Sequence, residues 1–149
     1  MAPAAIHSGS CTLTEVYMTL DDLLQIPYVA NGRTQQGADC YGLVRIARAC
    51  LFDKPWMPSY GSVEGSDKVA LTEAMLEESV KYQPCRPHPG AIATAWRGSL
   101  CTHIAIVVEV DGKLMILETD EPGQTNLGPR LTTLSRFQLR FLKVVYYDD

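Results

Sequence analysis

Asp111-Gly112 stands between two apolar runs, His103 to Val110 and Lys113 to Thr119, and no other stretch limits the fold as much. A two-residue Asp-Gly connection asks for positive φ at both positions, which the type I′ hairpin turn supplies. That turn sets a register: Val110 pairs with Lys113, Ala105 with Glu118 and His103 with Asp120. Ile104, Ile106, Val108 and Val110 then share one face, and His103, Ala105, Val107 and Glu109 share the other. Ala91 to Trp96 and Phe141 to Tyr147 are two further strand-like stretches, so the second half of the chain reads as antiparallel sheet.

The first half has a different period. Thr19 has the character of an N-cap, with Asp22 as its capping-box partner, Leu20, Leu23 and Leu24 as a buried stripe, and Pro27 as the stop. Tyr28 to Asp39, with Asn31-Gly32 and Gly37, is expected to be an ordered loop with tight turns. From Cys40 to about Leu51 the apolar residues fall at 43, 46 or 47, and 50 or 51. That is an amphipathic helix with Arg45 and Arg48 off the buried face and Asp39 as its N-cap. Gly42 in the first turn is costly relative to Ala, which points to close approach by another backbone or a ligand, or to tight packing. Lys54 to Gly65 is an irregular connection rich in Pro and Gly. Ser66 to about Tyr82 returns to helical spacing, with Val69, Ala70, Met75, Leu76 and Val80 inward and a Glu-rich outer face. Pro84, Pro87 and Pro89 argue against regular structure up to Gly90. Met1 to Ser10 reads as a loose tail, and Thr12 to Met18 as a short strand or a helix lead-in. The expected organisation is an arm over residues 1–18 and one α+β domain over residues 19–149.

A chain of 149 residues, 46% apolar and 20% charged, is the size of one continuous core. The formal charge of −4, without a block of Lys or Arg, argues against nucleic acid or an anionic membrane as partner. No apolar run approaches a membrane span, and the N-terminal stretch has no basic region followed by an apolar one. The expectation is synthesis in a cytoplasm, with some other vehicle if the substrate lies outside. Five cysteines without a CxxC pair make a poor disulfide framework, so reduced thiols are expected.

Of these thiols Cys40 is in a special position. The positive end of the helix dipole favours its thiolate, but a nucleophile also needs a base. His7 lies in the tail and His88 between prolines. His103 opens a strand beside the small Ala105, on a face that a helix N-terminus packed across the sheet can meet. Glu118, diagonal to His103, and Asp120, opposite it, are both placed to hold the imidazole, which gives an arrangement of nucleophile, base and orienter. The competing reading is a metal site from Cys85-x-x-His88 and Cys101-x-His103.

Tyr28 followed by Asn31-Gly32, then Gly37-Ala38-Asp39-Cys40-Tyr41-Gly42-Leu43-Val44, resembles the Y-x-x-G-G…D-C-S-G-L-V signature of NlpC-type cell-wall cysteine peptidases, in the version typical of phage tail proteins. Pro89-Gly90-Ala91-Ile92 is similar to the family's P-G-D-L, and His103-Ile104-Ala105-Ile106-Val107 to its H-V-G-I-Y strand. The likeness runs from about Leu20 to Thr119, and a stretch like Arg136 to Tyr147 is usual in the phage branch. It implies a papain-like fold, with Cys40 as nucleophile, His103 as general base and Tyr28 reaching the active site. Glu118 stands where the family has a third polar residue, often histidine. Asp39, Tyr41, Gly42 and Ala105 are then expected at the substrate; Trp56, Tyr60 and Trp96 are either groove residues or buried aromatics. Three positions depart from the pattern. Tyr41 replaces a serine, Ala91 an aspartate, and Arg33 the second glycine of the tyrosine loop, unless Gly32 is that glycine displaced. The implied activity is hydrolysis of the γ-D-glutamyl bond to a diamino acid in peptidoglycan stem peptides, with no metal or cofactor. The implied setting is a phage or prophage tail acting at the cell wall, with tail proteins as partners. Two alternatives stand beside it: a tail-tip module of the same fold without turnover, and acyl transfer on another substrate.

Overall fold

The computed structural model describes residues 17–61, 63, 67–120 and 128–149. Met1 to Ser10 and most of Thr12 to Met18 lie outside them. The elements are α1 (Leu20–Leu24), β1 (Arg33–Thr34), β2 (Gly37–Ala38), α2 (Cys40–Cys50), α3 (Lys68–Ser79), β3 (Gln83–Cys85), β4 (Ile92–Arg97), β5 (Leu100–Val110), β6 (Lys113–Glu118), β7 (Arg130–Thr133), α4 (Leu134–Arg140) and β8 (Lys143–Asp148). The fold is α+β. Six strands form one antiparallel sheet in the order β3-β8-β4-β5-β6-β7, and β1 and β2 form a separate small ladder. Among the described residues no helix is long and apolar enough to cross a membrane.

Where the sequence carries a local rule, the chain obeys it. Thr19 and Asp22 exchange both capping-box hydrogen bonds, at 2.9 and 3.1 Å. Asp111 and Gly112 have φ of 51° and 78°, and the hairpin they close pairs Val110 with Lys113 and Ile106 with Leu117.

The sheet has two covered faces. Ile104, Ile106 and Val108 belong to a large core cluster with Leu43, Val44, Ile46 and Ala47 of α2 and Leu71 and Met75 of α3. Ala93, Ala95, Ala105, Val107 and Ile116 belong to a second cluster closed by Phe137 of α4. The expectation that α2 crosses the His103 face is therefore corrected: α2 packs with the Ile104 side, and α4 covers the other. Helix α4 also interrupts the order of helices first and sheet second. Its apolar Leu134 and Phe137 follow the N-cap Thr133, a helical signal just before the strand-like Phe141 to Tyr147, in a stretch to which the sequence pattern gave no element.

Three further expectations change. All eleven residues of α2 are buried, so Arg45 and Arg48 are not on a solvent face. The Arg45 Nε donates to the Met57 carbonyl (2.9 Å) and its guanidinium lies 4.6 Å from the Trp56 ring centre, beneath the 54–63 connection. In α3 the inward residues are Leu71, Thr72, Ala74, Met75 and Glu78, whereas Val69, Leu76 and Val80 are exposed. Glu78 is buried because the hydroxyls of Tyr60 and Tyr82 and the Lys81 ammonium all donate to it, at 3.1 to 3.2 Å. Pro84 lies inside β3, paired with Tyr147. A proline fits there because β3 is the edge of the sheet, where one side of the strand needs no ladder donor.

Cysteine usage also differs from expectation. Cys40, Cys85 and Cys101 are free, but Cys50 is disulfide-bonded and its partner lies outside the described residues. An odd count does not forbid a bridge, and whether two thiols meet is a matter of tertiary approach.

Candidate active site

The loop before α2 is built to present Cys40. Tyr28 bridges to Ala38, Asn31 turns the chain with φ 62°, and the β1–β2 ladder pairs Arg33 with Ala38. Asp39 then caps α2, its Oδ1 accepting from the Gly42 N–H at 2.9 Å. The same oxygen takes a 2.7 Å ion pair from Arg33, and both partners are buried. Arg33 also donates to the carbonyls of Ser59 (2.5 Å), Tyr60 (3.0 Å) and Val63 (2.6 Å), and so ties the 54–63 connection to the capping residue. A guanidinium with five N–H groups can satisfy that many acceptors at once. Arg33 is thus a structural tie, and its role was not legible from neighbours in sequence.

Gly42 answers its own question. A Cβ there would overlap the carbonyl oxygen of Gly32, so backbone and not ligand demands the glycine. The Tyr41 hydroxyl donates to the Pro58 carbonyl at 2.7 Å, and its ring meets Tyr60 edge-on at 5.6 Å.

Opposite Cys40 stands His103. Strand β5 carries a register shift against β4, with Ala95 facing His103 and Trp96 facing Cys101, so that Thr102 is extra. Such a bulge re-aims the side chains beside it. It turns Cys101 into the large core, where its thiol contacts the His103 carbonyl at 3.6 Å. His103 itself lies past the last paired rung of β5 with β6, Ile106 with Leu117, and so is not paired with Asp120 as the register alone suggested. Its ring stacks on Phe141 at 5.8 Å and lies 6.0 Å from Phe137.

The two imidazole nitrogens are placed differently. Nε2 donates to Glu118 Oε1 at 2.9 Å. Nδ1 is buried without a partner in ordinary hydrogen-bond geometry, which leaves it as the nitrogen available to the nearby Cys40 thiol. Burial opposes charge on His103, but hydrogen bonding to Cys40 and to Glu118 outweighs it and pushes the imidazole up to about 9. The carboxylate is the carboxylate of Glu118: its Oε2 accepts from Thr132 Oγ1 and Arg140 Nη1, each at 2.6 Å, and lies 3.6 Å from Arg130 Nε. Burial would raise Glu118; hydrogen bonds from His103 and Arg140 overcome that and hold it at about 2. Thr132, Arg140 and the two phenylalanines all come from β7, α4 and the residue after it, a region in which the sequence alone suggested no site residue.

Cys40, His103 and Glu118 are thus brought together, and the Tyr28 backbone is set beside the loop that carries Cys40. The other four candidates lie in the body of the protein. Asp39, Tyr41, Gly42 and Ala105 are buried, with Ala105 in the core beneath α4. Nor do the aromatic candidates gather as a groove: Trp96 is buried and bonded to Thr94 (2.8 Å), Trp56 lies under Arg45, and the Tyr60 hydroxyl reaches Glu77 and Glu78. The four residues of the metal reading are separated. Cys101 is in the core, Cys85 on the edge strand, His88 against Asp148 (3.2 Å) and His103 on Glu118. Among the described residues no group of three or more His, Cys, Asp or Glu is placed to hold a metal ion. No family model, curated protein or solved structure matches the chain.

Proposed function

We propose that this chain is a cysteine peptidase of papain-like fold that hydrolyses peptidoglycan stem-peptide amide bonds through a thiol acyl-enzyme, as a component of a phage or prophage tail. The observation that carries the reading is the 2.9 Å bond from His103 Nε2 to Glu118, which fixes the tautomer with Nδ1 toward Cys40. In the reaction Nδ1 takes the thiol proton and the sulfur adds to the scissile carbonyl carbon. The oxyanion faces the Cys40 N–H, in the first helical turn where such groups lack an intrahelical acceptor. The imidazolium then gives its proton to the departing amine, and the acyl group stays on sulfur. Water, deprotonated by His103, releases the acid and restores the thiol. Glu118 remains ionised throughout. Tyr28 would help polarise the carbonyl, and the bond cleaved would be that between γ-D-glutamate and the diamino acid.

Mass spectrometry of fragments released from peptidoglycan by the wild type and by Cys40→Ala tests this. Stem-peptide cleavage by the wild type alone is expected; equal release by both proteins would refute it. A second reading, a tail-tip module without turnover, draws on the burial of Cys40, which is only 4% exposed. It is favoured if no fragment appears and Cys40 also resists a thiol-reactive probe near neutral pH.

A further inference from the structure

Behind Glu118, on the side away from His103, a cavity of about 360 Å³ is lined by Arg130, Arg136, Arg140, Thr132 and Thr133, with Met115 at its apolar wall. Three guanidinium groups line it, and two of them meet one carboxylate. Arg140 bonds Glu118 through Nη1, and Arg130 approaches it at 3.6 Å. Arg136, one helical turn before Arg140, makes no ion pair among the described residues, although its side chain lines the same space. This excess of positive charge occurs in a chain whose formal charge is −4. Like charges held together in a partly enclosed site are unfavourable unless an anion joins them, and planar guanidinium groups match the two oxygens of a carboxylate or phosphate.

We propose that this cavity binds a small oxyanion, a carboxylate or a phosphate, between Arg136 and Arg140. The site goes beyond the peptidase reading and does not need it. Because Arg140 serves both the cavity and Glu118, an occupant adds negative charge beside the clamp on the His103 partner. Occupancy is therefore expected to register at Cys40.

The test is calorimetric titration of the full chain with inorganic phosphate and, separately, with acetate, at constant ionic strength. Saturable binding of at least one anion is expected, with the preference between them separating the two sources. Arg136→Ala is expected to weaken binding about tenfold, the size of one charge-assisted hydrogen bond. Arg136→Gln, which keeps the bulk, is expected to do the same. Both are exposed-site changes that leave Glu118 its partners. Absence of saturable binding, or binding by both variants as tight as that of the wild type, overturns the site. Iodoacetamide alkylation of Cys40, with Cys40→Ala as background, is expected to change rate with phosphate in the wild type and not in Arg136→Gln. Binding without that change removes the link to the triad. Neither readout requires turnover, so failure here is distinct from failure of the peptidase reading.

Discussion

The molecule contains two pairs of histidine and carboxylate, each with a cysteine near it, at opposite ends of α2. At the N-terminal end His103 and Glu118 are almost wholly buried, 2% and 0% exposed. At the C-terminal end His88 lies 3.2 Å from Asp148 with 44% of its side chain exposed, and Cys85 sits on the neighbouring edge strand. The residue types are the same and the chemistry is not. Burial and then the Asp148 charge push the Cys85 thiol up, away from thiolate. Its strand supplies no helix start, whereas Cys40 opens α2. Asp148 is occupied elsewhere, with Arg48 at 2.7 Å and Lys54 at 3.4 Å. Its carboxyl is held well below the usual range: burial is overcome by hydrogen bonding with the Asp149 side chain, with Arg48 and with the Asp149 backbone. The second constellation is thus a clamp of β8 on the end of α2. What separates a site from a clamp here is which group the carboxylate faces and whether the thiol stands at a helix start.

Substitutions can break this comparison. The largest effect is expected for the thiols. Cys40→Ala should lower the rate of stem-peptide release by about 10⁴-fold or more, as loss of a nucleophile does, while Cys85→Ala stays within about twofold, both read by fragment mass spectrometry. Next come the carboxylates. Asp148→Ala leaves the buried Arg48 charge without its main partner and should cost about 3–5 kcal/mol in urea unfolding. The activity of the molecules that remain folded should be unchanged. Glu118→Gln should do the reverse in kind: kcat falls about 10²-fold while the fold persists, since the amide can keep the Thr132 bond. A loss of kcat in Asp148→Ala as large as that in Glu118→Gln would erase the distinction.

The pH profile sharpens the same contrast. With His103 raised to about 9, kcat/KM is expected to fall on an alkaline limb near that pH, as the imidazolium that protonates the leaving amine is lost. In Glu118→Gln the limb should move to lower pH. For stability the signs are opposite in the two partners. The His103 contribution is present below its unfolded value, about 6.5, and is lost as pH rises through about 9. The contribution of Glu118, held at about 2, is present above its unfolded value near 4.3 and is lost as pH falls toward 2. Thermal melts of Glu118→Gln against wild type across pH 3 to 10 check both directions. The smallest effect is expected far from both pairs: Thr19→Ala, which removes the α1 capping box, should cost about 1 kcal/mol and leave activity as it was.

The sequence by itself determined what acts over a few residues. Thr19 and Asp22, Asp39 and Gly42, and the Asp111-Gly112 turn are contacts or conformations set by neighbours, and the strand alternation around His103 follows from the period of the backbone. These were enough to put a cysteine on a helix start, a histidine on a strand and a carboxylate two residues before the histidine's expected hairpin partner. Only the tertiary structure decided the rest. Arg48 meets Asp148 across 100 positions of sequence, Arg33 reaches Val63 across 30, and Glu118 finds Arg140 across 22. No periodicity encodes such pairs, because a buried charge is tolerated only where a distant chain brings its partner. For the same reason Arg48 looked like a surface residue, Glu78 like solvated charge, and the support behind Glu118 could not be read until α4 closed over the sheet.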